Sequence, residues 1–158
     1  EIGDKKKFVY DDDLSALVDE HITTVPETWT LEYLNVSTGN QTVPTATVRL
    51  IKKDGKKTNI EQDAGIGDGP VDAALKAIDR ITKTTGKLMD YGLRAVSQGK
   101  DALGEVSVKV DFGTGDLVPG KGTSTDIIEA SARAYLHAVN RHLSIGASKS
   151  KRRKPRQP

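Results

Sequence analysis

The sharpest pattern in the chain is the alternation of "GEVSVKVDF", residues 104–112. Val106, Val108, Val110 and Phe112 share one side of an extended strand, and Glu105, Ser107, Lys109 and Asp111 share the other. "TATVRLIKK" does the same with Ala46, Val48 and Leu50. Ahead of it, "WTLEYLNVS" (29–37) reads as a strand closing in a turn at Thr38-Gly39-Asn40. Asp54-Gly55 inside "KKDGKK" is a hairpin signal, and "TNIEQDAGI" returns with Ile60, Ala64 and Ile66 in one parity. In "LMDYGLRAV", Met89, Tyr91, Leu93 and Ala95 fall on one face.

Between these runs the period changes to that of a helix. After "GIGDGP", Val71, Ala74, Leu75, Ile78 and Ile81 recur at helical spacing; Pro70 suits the first turn and Gly86 the exit. A second helix is expected from Thr125 to Leu143, with Ile128, Ala132, Tyr135 and Val139 facing the core. A short helix is expected in "DDDLSALVDEHI" (11–22): its aspartates cap the start, Leu14, Leu17, Val18 and Ile22 make a face, and Pro26 blocks continuation. Asp72 and Asp126 fall in the first turns of the two long helices, which suggests an internal repeat. The expectation is an α+β fold of two βββα units related by a pseudo-twofold axis. Residues 1–28 are expected to carry the short helix, 29–86 and 87–145 to form the two units, and 146–158 to form a disordered basic tail. Both glycine-rich stretches, "GIGDG" and "PGKGTS", are read as strand-to-helix corners.

Composition narrows the chemistry. The chain of 158 residues is 35% hydrophobic and 4% aromatic, so the core must be aliphatic. It has no cysteine, which removes disulfides, thiolate metal sites and cysteine nucleophiles. No apolar run approaches the roughly 20 residues of a membrane span, and no signal-peptide pattern opens the chain; the expected setting is cytoplasmic, or an organelle such as a plastid in a eukaryote. A start at Glu1 rather than Met suggests a piece of a longer protein. Six of the 24 basic side chains lie in residues 149–158, leaving 18 against 22 acids in the rest. An acidic body with a basic end argues against a nucleic-acid partner, because such a body is normally basic itself.

No catalytic constellation emerges. His137 and His142 are five apart on a helix, about 140° around its axis, so they cannot readily clamp one metal; His21 stands alone. "GIGDG" is neither a dinucleotide fingerprint nor a phosphate-binding P-loop. No cofactor or metal is expected. What remains is binding: a glycine-rich turn feeding a helix start offers backbone N–H groups to a small anion such as a carboxylate. Asp68 in that turn would face a cation, so the pair suits a zwitterion. The alternative is that the glycines only tighten a corner and Asp68 caps the helix.

"GDGPVDAALKAID", "LMDYGLRAVSQGKDALGEVSVKV" and "GKGTSTDIIEASARAYLHAVNR" together resemble the C-terminal regulatory domain of the 2-isopropylmalate synthase and citramalate synthase family, and "DDDLSALVDE" resembles the end of the linker subdomain before it, which makes residues 1–28 a linker remnant. The resemblance implies a homodimerising, effector-sensing domain, with leucine (or isoleucine) bound near the subunit interface. It also implies a separate metal-dependent (β/α)8 barrel that condenses acetyl-CoA with a 2-oxo acid; that barrel and its His-x-His motif are missing from this sequence, so this fragment alone is expected to have no synthase activity. By motif, the effector candidates are Gly67, Asp68, Gly69 and Val71 at the corner, then Leu88, Tyr91 and Ala95, then Asp101, Ala102 and Gly104. Tyr91 and Ala95 share strand parity, whereas Leu88 has the opposite parity and is expected to enter from the strand's start.

Overall fold

The computed structural model describes residues 27–96 and 102–153, with side chains up to residue 146. The expected helix at 11–22, His21 and Asp101 lie outside the described residues. The elements are β1 (Trp29–Gly39), β2 (Thr42–Asp54), β3 (Lys57–Ile66), α1 (Pro70–Thr82), β4 (Lys87–Ala95), β5 (Gly104–Asp111), β6 (Leu117–Ser124) and α2 (Ile127–Arg153). They make two antiparallel three-stranded sheets, β1-β2-β3 and β4-β5-β6, each followed by its helix. This is the α+β pair of βββα units that the pattern predicted. No helix among the described residues is long and apolar enough to cross a membrane.

Each helix lies on the inner face of its own sheet, and the two helices touch. One core therefore draws on both units: Val48 and Leu50, Ile78, Val106 and Val110, Tyr135 and Val139 are all buried in a single cluster. Few of its members are large, so the packing is close. A Cβ on Gly65 would stand 2.6 Å from the backbone nitrogen of Ala77, and one on Gly122 would stand 2.5 Å from both the Ala130 carbonyl and the Ala134 nitrogen. Alanines on one side and glycines on the other let helix backbone rest on strand backbone.

Two polar links cross between the units. The Trp29 N–H donates to Asn140 Oδ1 at 2.9 Å, and Asn140 Nδ2 returns a bond to the Trp29 carbonyl at 2.9 Å. The Tyr135 hydroxyl donates to Asp79 Oδ1 at 2.6 Å.

The repeat is more regular than the sequence suggested. A bulge interrupts β1 between Leu31 and Tyr33, and a matching one interrupts β4 between Leu88 and Asp90. The first helical bonds run from Ala73 N to Gly69 O and from Ala130 N to Asp126 O. Gly69 thus corresponds to Asp126 and Asp72 to Glu129, so the pairing of Asp72 with Asp126 is off by three residues.

Other expectations are corrected by local geometry. Gly120 and Gly122 lie within β6, under α2, so the second glycine stretch is a strand and not a corner. The first hairpin turns at Asn40-Gln41, and the second turns at Gly55-Lys56, with Asp54 paired to Lys57. Gly55 has φ 64° at the first turn position, where only glycine avoids strain. α1 ends at Lys83 in the left-handed region (φ 57°) rather than at Gly86. Gly86 is needed for another reason: the Tyr135 hydroxyl occupies the place of its missing Cβ. Ile60, Ala64 and Ile66 share a parity as expected, but it is that of the outer face. α2 runs past Leu143 to Arg153, so the first part of the basic end continues the helix instead of forming an irregular tail. No proline interrupts it before Pro155, and cations suit a helix C-terminus.

Candidate functional site

The entry to α1 is built from backbone. Gly67 N–H donates to the Pro44 carbonyl at 3.1 Å, prolonging the β2–β3 ladder, and its missing Cβ leaves room for Asp72 Oδ2, which would stand at 2.7 Å from it. Gly69 is the N-cap residue and supplies no side chain to the helix start. Pro70 at the first helical position has no N–H to satisfy, so the Val71 and Asp72 amides are the ones that point out of the helix end. Asp72 folds back from the first turn to accept the Asp68 N–H at 2.9 Å and pairs with Lys76 at 3.1 Å. The Asp68 N–H chiefly, with Lys76 behind it, holds the Asp72 carboxyl below the usual carboxylate range. Asp68 itself is exposed. The helix cap that its sequence position suggested is not made: the start of α1 has no side-chain cap hydrogen bond.

The equivalent entry to α2 closes on itself. Asp126 Oδ1 accepts the Ile128 N–H at 2.9 Å, as an N-cap side chain should. Ser124 Oγ accepts the Asp126 N–H at 3.1 Å and donates to Glu129 Oε2 at 2.6 Å. Glu129 also holds Arg133 at 3.0 Å. Ser124 first, then Arg133, lowers the Glu129 pKa.

The bulge in β4 changes the reading of that strand. Leu88 pairs with Val110, and Tyr91 pairs with Val108. One extra residue, Met89, lies between them, so Leu88 faces the same inner side as Tyr91, Leu93 and Ala95. The opposite parity expected for Leu88 is thereby corrected. Leu88 is half-buried against the core. The Tyr91 hydroxyl lies 2.8 Å from Ser131 Oγ of α2, which is anchored in turn to the Ile127 carbonyl at 2.8 Å. Gly104 lies across from Ala95, within reach of Leu93 and Ile127. Ala102 is exposed beside it.

The structure brings Val71 and Leu88 together, whereas Tyr91, Ala95 and Gly104 lie farther along β4 and β5, with Tyr91 and Gly104 against α2. Val71 and Leu88 line a single open groove of about 1380 Å³ together with Leu75, Asp72, Lys76 and Gly86. The internal repeat carries a second, smaller crevice of about 210 Å³ onto the same kind of place. It is lined by Leu31, Tyr33, Leu34 and Val36 of β1 with Asp126, Ile128 and Glu129 of α2. Its counterparts by register are Leu88, Asp90, Tyr91 and Leu93 with Gly69, Val71 and Asp72. Ser131 and Ile127 of α2 stand beside Tyr91 and Gly104 and were missed in the sequence, because helix residues reach these strands only through tertiary packing.

Among the described residues no group of three His, Asp or Glu side chains could hold a metal ion. His142 stacks on Phe112 with centroids 4.3 Å apart, and burial lowers its pKa. His137 Nδ1 lies against the backbone of Lys121. The fold defines a duplicated βββα module.

The comparisons narrow that class. Residues 8–143 match the family model described as the LeuA allosteric (dimerisation) domain, and the chain belongs to that family. It is 54% identical over 142 residues to a 2-isopropylmalate synthase of Carboxydothermus hydrogenoformans, covering 90% of this chain and 27% of that protein. The corresponding enzyme of Methylacidiphilum infernorum is 51% identical, with 90% and 28% covered. That of Pelotomaculum thermopropionicum is 49% identical, with 89% and 27% covered. The chain thus spans about a quarter of the length of these relatives.

Proposed function

We propose that this chain is the feedback-sensing and homodimerising part of a 2-isopropylmalate synthase, and that it binds leucine at the entry to α1. The observation that carries this reading is the difference between the two helix starts. Asp126 caps the second with its own carboxylate, whereas Gly69 leaves the first without a side-chain cap. A free amino acid supplies what the first start lacks. Its carboxylate meets the Val71 and Asp72 amides at the positive end of the helix. Its ammonium meets the exposed Asp68 carboxylate. Its branched side chain lies against Val71 and Leu88, with Tyr91 next along the strand; Ala95, Ala102 and Gly104 lie about 20 Å from Leu88 along β4 and take no part in that contact. Gly67 and Gly69 keep the corner free of side chains. The condensation of acetyl-CoA with a 2-oxo acid belongs to the remainder of the parent enzyme, to which leucine binding is coupled, typically by about 1–3 kcal/mol.

Calorimetric titration of the chain with leucine, isoleucine and valine tests this. Leucine is expected to bind in the micromolar range and valine, one methylene smaller, about 10- to 200-fold more weakly. Tighter binding of isoleucine would reassign the sensor to the citramalate branch. Heats equal to dilution for all three would overturn the reading and leave a dimerisation module without a ligand.

A further inference from the structure

The duplication keeps one register. Leu31 and Leu88 beside the bulges, Gly65 and Gly122 under the helices, and Gly69 and Asp126 at the caps each stand 57 residues apart. The groove beside α1 therefore has a copy beside α2, a crevice of about 300 Å³ between β1, β6 and α2. Leu31, Gly122 and Arg133 line the crevice where Leu88, Gly65 and Lys76 line the groove. The chemistry has changed between the copies. In the groove, Asp72 pairs with Lys76 and Asp63 with Arg80, so charges cancel in place. Beside the crevice the first pair survives as Glu129 with Arg133, but the second becomes Gly120 and His137, a base whose acid is gone. Asp79 becomes Leu136, and Ala64 becomes Lys121. Among the described lining residues Glu27 alone is acidic, and it is exposed.

This end of α2 is also short of acceptors. His137 Nδ1 is held by the Lys121 backbone, 3.1 Å from its carbonyl and 3.3 Å from its nitrogen, which leaves Nε2 without a protein partner among the described residues. One helical turn on, Arg141 buries Nε and Nη1 with no hydrogen-bond partner. A cation shut off from water and from acceptors keeps its surroundings positive. Trp29 and Leu136 are buried and Leu31 is partly so, which gives the crevice an apolar floor. We propose that this crevice binds a small aliphatic carboxylate. Its anionic end meets His137 Nε2 and the Arg133 guanidinium, and its carbon chain lies on Trp29, Leu31 and Leu136. The volume is that of about ten waters, the size of a short-chain acid. The site is separate from the α1 groove and does not depend on what binds there.

Titration of the full chain with butanoate, followed by nuclear magnetic resonance of its imidazole groups, gives the test. The chain has three histidines. Butanoate is expected to shift the His137 ring saturably, with a dissociation constant of about 1 mM, while His142, stacked on Phe112, stays in place. Butylammonium, alike in size and opposite in charge, is expected to shift neither. Arg133→Gln should weaken butanoate about tenfold. Thr123→Glu, which adds an acid at an exposed lining position, should do the same. Both variants are expected to retain circular dichroism and thermal midpoint. Excess leucine is expected to leave bound butanoate in place; displacement would make the two sites one and overturn the inference. So would a His137 ring that butanoate does not move, that butylammonium moves equally, or that responds with unchanged affinity in both variants, whatever leucine does at α1.

Discussion

The two helix entries are the same device finished in two ways. Each follows a third strand whose glycine lies under the helix, and each begins with a bond from the fifth residue back to the cap carbonyl. At the second, Ser124, Asp126 and Glu129 satisfy one another and the helix end. At the first, glycine stands at the cap and the only acid of the turn, Asp72, is used inward on Asp68 N–H and Lys76. The difference teaches that a duplicated fold can close one corner on its own side chains and leave the amides of its copy uncapped.

The strongest way to break this comparison is to attack what the two units share. Gly122→Ala should cost about 1–3 kcal/mol or more in urea unfolding, because its Cβ would press on α2 backbone that cannot move aside. Gly69→Ala, at an extended φ of −157° with open space around it, should cost less than about 0.5 kcal/mol. Equal losses at the two glycines would show that the backbone contact does not matter.

Next in size is the link between the units. Tyr135→Phe removes the hydroxyl that donates to the partly buried Asp79, at a cost of about 1–3 kcal/mol. Burial chiefly raises the Asp79 pKa above 3.8, so the folded state holds its proton more tightly than the unfolded chain. Stability therefore falls as pH rises from about 3.8 through the raised value. The Tyr135→Phe loss should be larger at pH 7 than at pH 4; a loss independent of pH would remove Asp79 from the account.

Exchanging the corners sharpens the comparison directly. Gly69→Asp should install the cap that Asp126 provides, stabilising the chain by about 0.5–1 kcal/mol and weakening leucine by about tenfold or more, since the new carboxylate takes the ligand's amides. Retained leucine affinity alongside higher stability would locate the ligand elsewhere. The smallest expected effect is that of Asp72→Asn. The Asp72 pKa is lowered below 3.8, so its contribution is present above that value and disappears as pH falls through the lowered one. With the side chain 42% exposed, the loss at pH 7 should stay under about 1 kcal/mol and vanish in acid.

The strand and helix periods, the aliphatic core and the doubling of the βββα unit were all legible in the sequence. They depend on which side of a local repeat each residue falls, and Val106, Val108 and Val110 or Leu75, Ile78 and Ile81 declare that by spacing alone. The motifs also pointed to the corner residues. The sequence could not show the bulge that turns Leu88 to the side of Tyr91, because a single extra residue leaves no mark in a period-two pattern. Nor could it show which face of β3 is inward. Ile60 and Ile66 look like core until Gly65, the smallest residue of that strand, proves to be the one beneath α1. The links from Trp29 to Asn140 and from Asp79 to Tyr135 belong to residues far apart in the chain, and only packing brings them within a hydrogen bond. Local chemistry determined the elements; the choice of which small residues let two backbones meet was made in three dimensions, where contact distance and not sequence spacing sets the energy.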